Sequence, residues 1–419
     1  MNESDMIDRV AAVILAGGQG TRLFPLTQYR SKPAVGFGGK YRLIDIPLSN
    51  ALNSKISHLY VISQYFASQL HHHICATYQF DRMQKGGIHL LCPEEDPERQ
   101  VRFEGTADAI RKNLHHLLKA PVDYFLILSG DQLYNIDLGE LIRFAHEKNA
   151  EMVVASIYVK EAEAHRMGVM HVDANNYIKD FKEKPKEKSA LTPFGVKKDG
   201  KTRYLASMGI YVFRRDALLA LLQQPGNDFG HHLIPCQVAR GGSYAYVYNG
   251  YWVDIGTILS FYEANMSLLD QENCLETYNE ATPIYARCYH LPSPLILQSR
   301  VHRSYISQGS IVEAEEISHS ILGLRCHVKK GTKIKDSIVM GNQFYAPPLH
   351  QHPPLPAQFT IGENCVIEKA IIDEHTYIGN HVRLVNEKKL QNYDGDGVYI
   401  RDGIIIVTSG TSLPDGFVL

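Results

Sequence analysis

At 419 residues the chain exceeds one ordinary domain and is long enough for two. Its 44% hydrophobic and 21% charged residues are those of a globular protein and exclude a disordered or fibrous one. A formal net charge of -2 leaves no basic excess, so a nucleic-acid partner has no electrostatic support.

The N-terminal run MNESDMIDR is acidic and polar, unlike a secretory signal or an Arg-rich transit peptide. The apolar run that follows, Val10 to Ala16, is far shorter than the roughly 20 residues a membrane helix needs. Seven cysteines are scattered without a C-x-x-C pair, which suits buried thiols in a reducing compartment. A cytoplasmic protein with no membrane partner is expected.

Residues 9–16 (RVAAVILA) form a β-branched, apolar run bounded by glycines, the pattern of a fully buried strand. Similar runs recur at 58–63, 124–129 and 152–159, and 106–119 places its apolar residues at helical spacing. Strands alternating with helices predict an α/β fold: a Rossmann-like, mostly parallel doubly wound sheet over 1–290. The texture changes at 291–294 (LPSP), a stiff connection. From there to 419 an aliphatic residue recurs about every sixth position, often followed by Gly or Asn, with Ile361-Gly362 and Ile378-Gly379 the cleanest units. That period predicts a left-handed parallel β-helix over 291–419. Residues 343–358, rich in proline, are expected to loop out of it, and Trp252 with the many tyrosines is expected to serve packing.

Directly after the first strand stands Ala16-Gly17-Gly18-Gln19-Gly20-Thr21-Arg22. Such glycines let backbone amides approach phosphates, and the Walker sequence is absent, so this is a different phosphate loop. Arg22 and, ten residues on, Lys32 supply fixed cations of the kind phosphoryl and nucleotidyl transfer requires. Ser129-Gly130-Asp131 ends the strand 124–129, which puts Asp131 in the ligand crevice of an open α/β sheet. Its carboxylate is a hard oxygen ligand suited to Mg²⁺, although a turn aspartate capping the next helix would look the same. Asp254 is a candidate second ligand or a simple turn residue. Glu183-Lys184-Pro185 alone is a solvated charge cluster; beside the other motifs it could hold a sugar hydroxyl and a sugar phosphate.

Together with KPAVGFGGKYR, EGTADAI, SGDQLY, ASMGIYVF, GYWVDIGT and SILGLRC, these residues resemble the ADP-glucose pyrophosphorylase (glucose-1-phosphate adenylyltransferase) family nearly end to end. The resemblance implies ATP, glucose 1-phosphate and pyrophosphate as reaction partners, Mg²⁺ as cofactor, and a homotetramer or heterotetramer. It implies that Arg22, Lys32 and Asp131 are catalytic and that Asp131 and Asp254 hold the metal. Leu15, Gly17, Gly18, Gly20, Thr21, Glu94, Gly105, Thr106 and Asp108 would bind the nucleotide. Phe103, Gly168, Glu183, Lys184 and Ser207 would bind glucose 1-phosphate.

The chain also departs from the family pattern. Gln132 replaces a histidine after the metal aspartate. Glu94 and Glu95 stand where relatives carry a glutamine pair near the base. Tyr29, Glu374 and Ser409 replace lysines used for activator binding, which predicts weak or altered anion activation with Arg30, Arg383 and Lys40 as remaining cations. The alternatives are a pyrophosphorylase for UTP or another nucleotide, a non-catalytic regulatory subunit, and a hexapeptide acyltransferase. The last needs a catalytic histidine on long, unbroken coils. His319 and His327 read instead as surface residues, and the histidines at 71–73 as a helix face.

Overall fold

A computed structural model describes all residues except 1–2, 81–85, 94–101, 199, 271–272 and 349–354. In chain order the N-terminal unit supplies strands β1 (Val10–Ala16), β2 (His58–Ser63), β3 (Gly87–Leu91), β4 (Tyr124–Ser129), β5 (Gln132–Tyr134), β6 (Met152–Val159), β7 (Gly168–Val172), β8 (Ile178–Glu183), β9 (Gly195–Lys198), β10 (Lys201–Arg214), β11 (Ser243–Val247) and β12 (Trp252–Asp254). Ten of these make one sheet whose main path runs β8-β7-β10-β4-β1-β2-β3. β1 pairs in parallel with both β2 and β4, and β2 in parallel with β3. β10 then joins β4 antiparallel, so the sheet is mixed at that side.

This order has a functional consequence. The chain leaves β1 for β2 on one flank and later returns to β4 on the other, so a crevice opens above the carboxyl end of β1. Apolar side chains of β1, β2 and β4 are buried on both faces, in two layers packed beneath helices. Continuous Val, Ile and Leu runs are what a doubly covered strand requires. Asp45–Asn53 and Thr106–Lys112 are among the covering helices.

After the helix Ile258–Asp270 the chain enters parallel coils that form three ladders. Their registers stack like on like: Ile317, Ile334, Ile367 and Leu384 in one column, Ile321, Ile338 and Ile371 in another. Ile361 bridges Val328 on one side and Ile378 on the other, and a Cβ on Gly362 would lie 2.3 Å from the carbonyl oxygen of Gly379. The recurrent Ile-Gly units are therefore corners where neighbouring coils touch. The ladder passes from Ile338 directly to Ile371, and the described residues of 343–358 form no strand; 349–354 lie outside the described residues.

A third apolar cluster belongs to both units. Leu23, Val35, Phe37, Leu43, Ile258 and Phe261 pack with Ile321, Ile338, Ile371, Ile404 and Ile406 of the coils. Each such side chain contributes about 1.5–3 kcal/mol on burial, so the coils are a structural support for the segment 23–43. None of the described helices is long and apolar enough to cross a membrane.

Candidate active site

The glycine loop leaves the sheet at the end of β1. Gly18 is open, with nothing within 4 Å of where a Cβ would stand. Gly20 is different: its φ of 65° and ψ of 27° lie in the left-handed region, and a Cβ there would come 2.9 Å from Cβ of Lys32. Glycine at this position both permits the turn and lets the Lys32 side chain lie against the loop. Gly20→Ala is expected to destabilise the protein by about 1–2 kcal/mol and to slow turnover, since Lys32 must shift. Denaturant unfolding and steady-state rates would check both; unchanged turnover would separate the loop from Lys32.

Lys32 begins a short 3-10 turn, Lys32–Ala34, and is buried apart from its tip. Its Nζ lies 2.5 Å from Oδ2 of Asp131, while Ser129 Oγ donates to Oδ1 of the same carboxylate. Gly130 makes this approach possible. Its N–H donates to the Leu15 carbonyl at 3.0 Å, and a Cβ there would stand 3.3 Å from both that oxygen and Cγ of Pro33. The ends of β1 and β4 and the Lys32 turn thus meet at one residue without a side chain.

Asp254 reaches the same place by strand pairing. β12 lies antiparallel to β5 with Asp254 opposite Gln132, and the N–H of Ile255 donates to the Asp131 carbonyl at 3.2 Å. Burial raises the Asp254 carboxyl above its ordinary range, and the like charge of Asp131 adds to this; Lys32, Arg22 and Arg166 oppose it. A Cβ on Gly256 would lie 3.1 Å from both Asp254 Oδ2 and Arg166 Nη2, and 3.6 Å from Arg22 Nη1. Two carboxylates and three cations therefore converge around Gly256 and the end of β4.

That donor set fits a divalent ion. No group of three or more His, Cys, Asp or Glu that could enclose a metal occurs among the described residues. Two half-buried carboxylates, one of them raised by desolvation and by like charge, suit an ion such as Mg²⁺ whose remaining ligands are phosphate oxygens and water.

The residues expected to hold the sugar form a second wall. Glu183, at the end of β8, pairs opposite Gly168, where a Cβ would stand 2.6 Å from Glu183 Oε2. Lys184 Nζ lies 3.1 Å from Glu183 Oε1, and the Lys184 N–H donates to the Met167 carbonyl at 3.1 Å. Ser207 is buried where β10 bulges, one residue beyond the pairing of Ala206 with Val169, and accepts from the N–H of Gly209 at 3.1 Å.

The wall expected to hold the nucleotide is joined to both. Gly105 precedes the helix Thr106–Lys112 at a point where a Cβ would come 2.1 Å from the Asn227 carbonyl oxygen. Thr106 Oγ1 donates to Asp228 at 3.2 Å, and Gly230, two residues on, stands against the Glu183 carboxyl. Asp108 is turned into the structure: it accepts from the Glu104 N–H at 2.9 Å and pairs with Lys112 at 2.9 Å. The Phe103 N–H donates to Gln64 Oε1 at 2.5 Å, and Gln64 Cβ is the closest atom to a Cβ built on Gly17, at 3.7 Å. Glu94 and Glu95 lie outside the described residues. Gln132 is buried and accepts from Trp252 Nε1 at 3.4 Å, so this tryptophan packs and also fixes the β5–β12 pair.

Three residues were not singled out in the sequence. Gln64 follows β2 as Asp131 follows β4, so the strand-end argument applied to every parallel strand would have found it. Arg166 carried one faint signal, a cation two residues before Gly168. Asp228 lies in NDFG, a segment that also resembles the family, but nothing in the sequence pointed to its contact with Thr106, which is remote in the chain.

The Lys32 turn is held from behind by the coils. Arg30 is buried and its Nη2 lies 2.6 Å from Oδ2 of Asp373, with Nη1 3.6 Å from Oε2 of Glu374. Arg42 Nη2 lies 3.2 Å from the other oxygen of Glu374. Burial pushes the Glu374 carboxyl up, but Arg42 and Arg30 outweigh it and hold the group at about 2. Two arginines flanking the Lys32 turn are thus neutralised by two adjacent carboxylates of the β-helix. Arg383 pairs with Glu387 at 2.9 Å, and Lys40 lies 5.8 Å from the Tyr41 ring centroid.

Comparison with known protein families agrees with this geometry. Residues 11–271 match the nucleotidyl transferase family. Residues 289–418 match the GLGC left-handed parallel beta-helix domain, which supplies the hand of the coils. A crevice lined by phosphate-loop glycines, cations and paired carboxylates is what transfer of a nucleotidyl group requires. The chain belongs to the nucleotidyl transferase family, and its two matched segments, in this order, are the architecture of the ADP-glucose pyrophosphorylases.

Proposed function

We propose that the protein is a glucose-1-phosphate adenylyltransferase, joining ATP to α-D-glucose 1-phosphate with release of pyrophosphate, and supplying ADP-glucose for glycogen or starch synthesis. One observation carries the reading: Lys32 and Asp131 meet at 2.5 Å beside a glycine loop built against Lys32, in a chain that continues into a β-helix. A phosphate oxygen of the sugar phosphate attacks the α-phosphorus of ATP, the bond to the β-phosphate breaks, and pyrophosphate leaves with that electron pair. The Gly17–Gly20 backbone and Thr21 cradle the triphosphate, Arg22 and Lys32 offset charge that grows on it, and Lys184 holds the sugar phosphate for in-line attack. Asp131 and Asp254 would hold Mg²⁺, which when bound neutralises phosphate charge.

Pyrophosphate release should be fastest with ATP when the four nucleoside triphosphates are compared at equal concentration with glucose 1-phosphate. Faster release with UTP would replace the adenylyl assignment by the alternative nucleotide; no release with any would defeat the catalytic reading. We place the enzyme in the cytoplasm as a homotetramer, with a heterotetramer as the alternative, a state that light scattering would define.

Regulation follows from the junction. Arg30 and Arg42 are already paired with Asp373 and Glu374, Tyr29 is exposed and neutral, and Ser409 carries no charge. An anionic activator therefore finds few free cations here. Stimulation by 3-phosphoglycerate or fructose 1,6-bisphosphate is expected to stay below about tenfold; a larger effect in an activator titration would contradict this account.

A further inference from the structure

Among the described residues, Arg166 is a cation of the cleft that the proposed reaction leaves without a task. It is exposed and follows the short helix Glu161–Ala164, its own N–H donating to the Glu163 carbonyl at 3.0 Å. Both neighbours are fastened to the sugar wall: His165 Nδ1 lies 2.7 Å from the Pro185 carbonyl oxygen, and the Met167 carbonyl accepts from Lys184. Arg166 is thereby presented between that wall and Asp254. The guanidinium is not bound to either side. Among the described residues it forms no ion pair within 4.0 Å, although its Nη2 and Asp254 Oδ2 stand equally close to the vacant side of Gly256.

An exposed side chain would ordinarily spread into water. Two facts make this position more than a solvated surface charge. Gly256 leaves the space between the guanidinium and Asp254 open, where any side chain would fill it. Arg22 approaches the same space from the glycine loop, so two like-charged guanidinium groups face one small region. Asp254 offsets part of this positive charge, and a bound anion between the two guanidinium groups would offset the rest. A phosphate is the anion whose geometry a planar guanidinium fork matches with two hydrogen bonds.

We infer that Arg166 is a substrate-contacting residue of the sugar side, whose guanidinium binds the phosphate of the sugar 1-phosphate together with Lys184. This rests on the adenylyltransferase reading of the same site. Arg22 then serves the triphosphate and Arg166 the nucleophile, so the two phosphates approach between cations fixed on opposite walls. Such an arrangement lowers the mutual repulsion of two anions, which otherwise opposes in-line attack.

The test combines initial rates and binding for wild type, Arg166→Gln and Arg166→Lys. Pyrophosphate release is measured while glucose 1-phosphate and ATP are varied separately, and glucose 1-phosphate binding is measured by calorimetry. Arg166→Gln should raise KM for glucose 1-phosphate about 10- to 100-fold and weaken its binding in parallel, with KM for ATP within about twofold of wild type. Arg166→Lys should recover part of the loss, since it keeps the charge without the fork. The unfolding midpoint should not move, because the side chain is exposed. An unchanged KM for the sugar phosphate, or a rise confined to ATP, would overturn the inference while leaving the adenylyltransferase reading in place. Wild-type protein that releases no pyrophosphate would defeat that reading instead. Calorimetry would then decide for Arg166 alone: tighter binding of glucose 1-phosphate to wild type than to Arg166→Gln supports it, and equal or absent binding sinks it.

Discussion

Asp131→Asn is expected to slow pyrophosphate release from ATP and glucose 1-phosphate by about 10³-fold or more, some 4 kcal/mol in the barrier. The substitution keeps size and leaves one oxygen to accept from Lys32, while the new amide NH2 can donate to Ser129 Oγ, which in the wild type donates to the other carboxylate oxygen. What it removes is charge. The carboxylate faces Lys32 at 2.5 Å and shares the pocket with Asp254, whose own carboxyl is raised by burial and by this neighbour. An amide gives a divalent ion a poorer ligand and leaves Lys32 without its anionic partner. Unfolding stability should change far less than rate, because Asp131 is half-buried and opens into the cleft. Near-normal turnover would remove Asp131 from the mechanism.

Asp373→Asn is expected to destabilise the protein by about 3–5 kcal/mol, read by denaturant unfolding. Arg30 is buried, and its 2.6 Å contact to Asp373 spans the seam between the two units. Its Nη1 already lacks a hydrogen-bond partner, so the guanidinium has no reserve when Asp373 loses its charge. Glu374, held at about 2, cannot serve Arg30 fully because it also serves Arg42. Glu374 itself contributes stability above its ordinary carboxylate value, and this is lost as pH falls from there toward 2. Glu316→Gln offers the contrast. Its exposed pair with Arg300 at 3.3 Å should contribute little, and a loss as large as that at Asp373 would mean that burial does not govern these pairs. Arg30 stands two residues before Lys32, so Asp373→Asn should also slow turnover at temperatures where the protein remains folded.

The glycine loop, the strands that end at it and the β-helix period were legible in the sequence for local reasons. A doubly buried strand must be a run of aliphatic residues, a phosphate loop must dispense with side chains, and stacked coils must repeat their corners. Lys32 and Asp131 could likewise be chosen by residue type and position, since strand ends and glycine loops mark a crevice in any open α/β sheet. Arg166, Gln64 and Asp228 could not all be found that way. Their significance lies in what they face: Gly256, Gly17 and Thr106, each supplied by a distant segment.

The seam shows the same division most clearly. Glu374 reads in the sequence only as a missing cation, a loss of charge at an expected activator site. In the folded chain it and Asp373 are buried counterions that hold two arginines around the Lys32 turn. Chain order determines which residues are present and which segments can become strands, loops and coils, because those choices depend on near neighbours. Which charges meet is decided only by tertiary packing, since a buried ion pair exists through the distance between its members and not through their spacing in the chain.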